Sequence, residues 1–222
     1  MTNNDGPVRI LIADDHEMIR HGLRNIIERH EKWQVCGEAS SGREAVELAR
    51  KLMPRVVIVD LIMPELNGVE TTRQIKKYLP NTEVLVLSVH ESGQLIHQAL
   101  ESGARGYLVK SDLARHILDA IEALVQHQLY FTGSVSNMML GTYLSREPQA
   151  VDEDNSPTKL TQREREVIQL LVEGYPNKSV AQQLDLSVKT VETHRAAIMR
   201  KLEIHSTAGL VRYAVRNSII AA

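Results

Sequence analysis

Along residues 1–125, short apolar runs alternate with stretches whose apolar positions recur at helical spacing. Five runs read as strands: Val8–Ile12, Val35–Ala39, Val56–Val59, Glu83–Leu87 and Gly106–Val109. The third, Val-Val-Ile-Val, has no polar face, so it needs cover on both sides, as strands in parallel sheets do. Between the runs, Ile19, Leu23, Ile26 and Ile27 fall at i, i+4, i+7 and i+8, and Ile117, Ile121, Leu124 and Val125 share one face in the same way. Strand and helix in alternation predict an α/β unit, a doubly wound five-stranded parallel sheet in the order 2-1-3-4-5.

The pattern then changes. Residues 128–144 are expected to add one further helix, with Met138, Met139 and Leu140 as an apolar patch. Ser145–Pro157 is polar, acidic and bracketed by prolines, the composition of a linker. Beyond it everything reads as helix. Thr161 and Glu164 have the spacing of a capping box, Val167, Leu170 and Leu171 face a core, and Gly174 is placed to end that helix. A second short helix carries Val180, Ala181 and Leu184; Ser187 caps a third through about Leu202, and a fourth runs from about Thr207 to Asn217. The expected division is therefore 8–125, a connecting helix and linker over 126–156, and a small all-α four-helix unit over 157–222.

Composition narrows the class. An apolar fraction of 43% suits a folded protein, and only 4% aromatics means an aliphatic core. The one cysteine, Cys36, has no partner for an internal disulfide; it is read as a buried thiol and fits a reducing compartment. The opening MTNNDGPVRILIADD lacks the basic-then-apolar pattern of a signal peptide, and no apolar run approaches the ~20 residues of a membrane span. A cytoplasmic protein with no membrane partner is expected. The net charge of −2 is unevenly spread: residues 1–125 carry 15 Lys and Arg against 18 Asp and Glu, residues 126–158 carry 1 against 4, and residues 159–222 carry 10 against 6. The basic end points towards a polyanion.

Chemistry gathers at the strand ends. Asp14 and Asp15 follow the first strand and Asp60 follows the third. In a 2-1-3 order these ends open into one crevice, where open α/β sheets bind ligands. Three close carboxylates repel unless cations join them. Lys110, at the end of the fifth strand, supplies one, and a hard, oxygen-seeking Mg²⁺ would supply the other. Ser88 ends the fourth strand. The histidines nearby, His16, His21 and His90, show no zinc-type spacing and are read as surface or structural.

The segments ILIADDH, VVIVDLIMPELNG, VLVLSVH and GARGYLVK together resemble the flavodoxin-like receiver domain of response regulators of the NarL/FixJ family, over residues 8–125. The resemblance implies that Asp60 is a phosphoacceptor for a sensor histidine kinase. It implies that Asp15, Asp60 and the Ile62 backbone carbonyl hold Mg²⁺, with Asp14 acting largely through water. Lys110 and Ser88 would contact the phosphoryl oxygens and Tyr107 would switch rotamer, while Pro64 and Gly68 shape the loop after Asp60. Val89 departs from the family, which usually has a small residue there; its bulk implies slower transfer or slower dephosphorylation. No separate substrate is implied, so the protein is not expected to be an enzyme.

Around residues 188–202 a helical wheel puts Val191, Ile198 and Leu202 on one side and Lys189, Glu192, Thr193, Ala196 and Arg200 on the other. A small polar face with two cations suits a major groove, though an ordinary solvated face reads the same way. LTQREREVIQLLVEG, NKSVAQQLDLS, KTVETHRAAIMRKL and VRYAVRNSII strongly resemble the LuxR-type helix-turn-helix domain, over about residues 157–221. By that resemblance the third helix reads double-stranded DNA and the fourth supports a homodimer. Glu192, Thr193 and Ala196 would face bases. Lys178, Lys189, Thr190, His194, Arg195, Arg200 and Lys201 would meet phosphates, which position without specifying. Pro176 and Thr207 depart from the pattern, the first replacing a small hydroxyl residue and the second a frequent arginine. Three alternatives stay open: an aspartyl-phosphate hydrolase, disfavoured by Ile62 where such enzymes place a second acid; a constitutive DNA-binding protein; and a ligand-sensing regulator.

Overall fold

In the computed structural model the described residues are 6–89, 92–144 and 160–220, with the backbone alone for 139–144. They form two compact units.

The first unit is a sheet flanked by helices. Its strands are β1 (Val8–Ala13), β2 (Trp33–Ala39), β3 (Val56–Asp60), β4 (Glu83–Ser88), β5 (Gly106–Val109) and β6 (Tyr130–Phe131). They run in the order β2-β1-β3-β4-β5-β6, every pair parallel. The helices are α1 (Glu17–Ile27), α2 (Gly42–Leu52), α3 (Gly68–Tyr78), α4 (Gly93–Glu101), α5 (Leu113–Val125) and α6 (Gly133–Leu144). Strand alternation splits the core in two. Ile10, Ile12, Val56, Ile58, Leu85, Leu87 and Leu108 pack with Leu23 and Ile27 of α1 and with Ile117, Ala120, Ile121 and Leu124 of α5. Leu11, Ala13, Val57 and Val59 point the other way, and all are fully buried. Burial on both faces is why β3 reads as an unbroken apolar run.

The sheet has six strands where five were expected. β6 is two residues long and pairs Tyr130 with Gly106 and Phe131 with Tyr107. The helix expected over 128–144 therefore begins only at Gly133, because the two residues before Thr132 continue the ladder. Met138 is half-buried; the side chains of Met139 and Leu140 and the linker Ser145–Pro157 lie outside the described residues. Cys36 is half-buried rather than buried. Val35 pairs with Ile10 and Gly37 with Leu11, so the register slips at Cys36 and the thiol is not held on the core face. Burial raises its pKa, partly offset by Arg9.

The second unit comprises α7 (Gln162–Val172), α8 (Asn177–Gln183), α9 (Val188–Lys201) and α10 (Thr207–Arg216). Thr161 and Glu164 form the expected capping box. Gly174, at φ +95°, ends the first helix in a conformation that side chains disfavour. Ser187 and Ser206 cap α9 and α10, each hydroxyl accepting a backbone N–H three residues on. Val167, Leu170, Val180, Ala181, Val191, Ile198, Leu210 and Ala214 close one core.

Candidate functional site

Register brings the acidic residues together. Ala13 lies opposite Val59 and Asp60 opposite Leu87, so Asp14 and Asp60 emerge side by side at the carboxyl rim, next to Ser88. Ser88 in turn pairs with Val109, which delivers Lys110 to the same rim.

Asp14 is fully buried. Its Oδ1 accepts from the His16 backbone N–H at 2.9 Å, and its Oδ2 lies 2.7 Å from the Lys110 ammonium. Asp60, 4% exposed, places Oδ2 3.0 Å from the same ammonium. Asp15 is more open, with Oδ1 2.7 Å from His16 Nδ1. Two carboxylates thus meet one ammonium, with the third, Asp15, beside them. Burial, and then the charge of Asp14, push the Asp60 carboxyl up to about 6, against the pull of Lys110. Burial works to lower the Lys110 pKa, but the charge of Asp60 and the contacts with Asp14 outweigh it and raise the pKa.

The donor set fits a divalent cation. Ligand atoms of Asp14, Asp15, Asp60 and His16 lie within 4.8 Å of one another. Asp14 Oδ2, though ion-paired, has no aligned hydrogen bond, so a buried acceptor is left facing the rim. Ile62 follows in the β3–α3 loop, where the Gly68 N–H closes on the Leu61 carbonyl at 2.8 Å and so does not use that of Ile62. Gly68 has no substitute there: a Cβ would sit 2.2 Å from the Asp60 carbonyl oxygen. Asn67 caps α3 by accepting the Glu70 N–H at 3.0 Å, which anchors the loop's far end.

The other expected residues sit as follows. Ser88 is buried and Tyr107 is fully buried in β5. Val89 is 68% exposed. His21 is exposed, 3.9 Å from Glu17, and His90 lies outside the described residues. His16 is an exposed residue, as expected, but its ring turns onto the aspartates; its place directly after the Asp14-Asp15 pair was the available signal.

In the second unit, Val191 and Ile198 of α9 are buried and Leu202 is half-buried, while Lys189, Glu192, Thr193, Ala196 and Arg200 are exposed. Lys178 is exposed on α8; Thr190, His194, Arg195 and Lys201 are half-buried. Two of the expected phosphate contacts are engaged inside the unit. Lys201 donates to Glu164 Oε2 at 2.7 Å, and Arg195 donates to the Thr207 hydroxyl at 3.3 Å. Pro176 and Thr207, the two departures, line one recess of about 330 Å³ with Arg195 and Tyr175.

Comparison with known proteins agrees with both halves. A model described as "Response regulator receiver domain" matches residues 10–122, and one described as "Bacterial regulatory proteins, luxR family" matches residues 158–214. The transcriptional regulatory protein LiaR of Bacillus subtilis is 35% identical over 213 residues, covering 96% of this chain and 99% of the relative. The transcriptional regulatory protein MctR of Rhizobium johnstonii is 34% identical over 214 residues, covering 96% of each. Among solved structures, RcsB from Salmonella enterica serovar Typhimurium, bound to promoter rprA in the presence of the phosphomimetic BeF₃⁻, is similar with a TM-score of 0.60 and 26% identity, over 94% of this chain and 98% of that one.

The class that fold and site define is the two-component response regulator. Within it, the chain belongs to the family that joins a receiver domain to a LuxR-type helix-turn-helix domain.

Proposed function

We propose that Asp60 accepts a phosphoryl group from a sensor histidine kinase and that the phosphorylated chain, as a homodimer in the cytoplasm, binds double-stranded DNA through α9 to control transcription. The observation that carries this is the buried Asp60 carboxylate 3.0 Å from Lys110, beside two further aspartates. The DNA-bound RcsB structures support the output half.

An Asp60 oxygen attacks the phosphorus of a phosphohistidine, the P–N bond breaks, and the imidazole leaves with a proton. With its pKa at about 6, Asp60 is ionised at neutral pH and ready as a nucleophile. Lys110 already faces Asp60 and Asp14, so its ammonium meets the incoming phosphoryl oxygens without crossing the pocket. Ser88, buried at the same rim, donates its hydroxyl hydrogen to one of them. Asp15, Asp60 and the Ile62 carbonyl would hold Mg²⁺ directly and Asp14 largely through water. Bound there, the ion neutralises charge on the transferring group.

Hydrolysis of the acyl phosphate returns Asp60, so the chain turns over only its own modification and needs no separate substrate. The functional extents follow as 8–125 for the receiver, 126–156 for the connection and 157–222 for the DNA-binding part. Among the described residues no helix is long and apolar enough to cross a membrane.

The DNA-binding part uses Glu192, Thr193 and Ala196 for bases and Lys178, Lys189, Thr190, His194, Arg195, Arg200 and Lys201 for phosphates. Lys201 and Arg195 reach phosphates only by leaving Glu164 and Thr207 or by sharing their donors. Phosphorylation acts by population shift: Ser88 and Lys110 are drawn to the phosphoryl group, Tyr107 changes rotamer, and the α4–β5 face is reshaped. Moving from 1% to 99% active takes a bias of roughly 5.5 kcal/mol.

The test is to incubate the full chain with magnesium and a small phosphoramidate, then map the modification. Mass gain confined to the peptide holding Asp60, absent from Asp60→Asn, is expected; an unmodified Asp60 contradicts the reading.

A further inference from the structure

One side chain in the acidic pocket has no part in the phosphoryl chemistry above. His16 is the N-cap residue of α1, with an extended backbone (φ −87°, ψ 108°), yet its side chain makes no capping hydrogen bond. The ring turns instead to the aspartates, with Nδ1 2.7 Å from Asp15 Oδ1 and 3.2 Å from Asp14 Oδ1. Two donors in adjacent positions on an octahedral ion, with bonds of about 2.1 Å, stand about 3.0 Å apart. The 2.7 Å separation from Asp15, the direct ligand of the two, is close to that edge length, and Asp60 contributes a further donor within 4.8 Å.

The turn that carries the ring is also held in place. The His16 backbone N–H donates to Asp14 Oδ1 at 2.9 Å, and the Arg20 guanidinium donates to the Asp14 carbonyl at 2.7 Å, which fixes the turn from β1 into α1. With the imidazole 65% exposed, bringing a cation to it costs little desolvation. Coordination uses the Nδ1 lone pair, so a bound cation replaces the hydrogen bond that Nδ1 makes to these carboxylates.

An imidazole adds little for Mg²⁺, which takes oxygen, and more for first-row transition cations, increasingly so from Mn²⁺ to Co²⁺. We infer that His16 Nδ1 is a direct ligand whenever the pocket holds Mn²⁺ or Co²⁺, and that it tilts the pocket's preference from Mg²⁺ towards those ions. This rests on the reading of the aspartates as a divalent-cation site. The pocket then answers to the supply of transition metal as well as to a phosphodonor.

The experiment uses the full chain, loaded with Mn²⁺ and examined by pulsed electron paramagnetic resonance for the nitrogen coupling of a directly bound imidazole. Titrations with Mn²⁺ and with Mg²⁺ alone accompany it, for wild type, His16→Gln and Asp15→Asn. Expected are imidazole coupling in the wild type, its loss in His16→Gln, and a Mn²⁺-over-Mg²⁺ preference lowered roughly tenfold in that variant, with Mg²⁺ affinity changed less than about twofold. The wild-type spectrum decides regardless of how the variants fold. Mg²⁺ binding that weakens in Asp15→Asn, together with a wild-type Mn²⁺ spectrum free of imidazole coupling, overturns the role of His16 alone. If neither cation binds the wild type, or Asp15→Asn binds both unchanged, the metal site itself is wrong and the inference falls with it.

Discussion

Asp60 is costly to fold. Its carboxyl moves from an ordinary 3.8 to about 6 because burial and Asp14 oppose its charge. A raised acid pKa means that stability present at low pH is lost as pH rises through that value. Here the loss develops between about pH 4 and pH 6 and amounts to roughly 3 kcal/mol by neutrality. In chelator-treated protein, Asp60→Asn is therefore expected to unfold at higher urea than the wild type at pH 7.5, with the two converging near pH 4. An advantage that stays constant across that range would contradict the burial account. Val89 makes a second test at this scale. It is 68% exposed beside the buried Ser88, so its bulk stands at the rim instead of filling the core. Val89→Ala is expected to shorten the acyl-phosphate half-life, measured by loss of the modified mass, with melting temperature little changed; equal half-lives would remove Val89 from the kinetics. Sequence alone showed the Asp14, Asp15, Asp60, Ser88 and Lys110 set because each residue directly follows or ends a recognisable strand. The place of His16 after Asp14 and Asp15 signalled its nearness to that set, but the direction of its ring was not legible, since that depends on the β1–α1 turn and not on spacing.

At the level of elements, the apolar runs located the five long strands to within a residue or two. Gly106–Val109 was matched at both ends. β1, β3 and β4 each run one residue further than the apolar run, to Ala13, Asp60 and Ser88, because the ladder continues past the apolar positions to the rim. β6 was not legible: two residues have no period, and the Tyr130 N–H finds its partner in the distant Arg105 carbonyl at 3.1 Å. In the second unit the capping box was legible, but the destination of Lys201 was not. By the resemblance it is one more cation for phosphates. In the fold it holds the buried Glu164, lowering a carboxyl pKa that burial alone would raise. Lys201→Met leaves that carboxylate to its Thr161 contact alone, and a loss of about 2 kcal/mol in urea unfolding is expected. Glu164→Gln in the same background should recover part of it. If Lys201→Met is neutral, the pair is ornamental and the lysine is free for phosphate.

Over the whole molecule, charge divides by unit. Residues 1–125 carry 15 basic against 18 acidic side chains, and residues 159–222 carry 10 against 6. The basic end leads to a steep fall of DNA affinity with added salt, since each phosphate contact releases condensed counterions. Lys189→Ala and Arg200→Ala should each flatten the slope by about one unit of log affinity per log salt. A slope unchanged in both would take those side chains out of the interface. The central claim joins the two units: modification at Asp60 governs binding by α9. Its most direct test is fluorescence anisotropy on genomic fragments recovered by the phosphorylated chain, with and without magnesium and a phosphoramidate. Tighter binding on phosphorylation in the wild type, with none of that gain in Asp60→Asn, is the predicted result. Equal affinity of modified and unmodified wild type, or the same gain in Asp60→Asn, would contradict it.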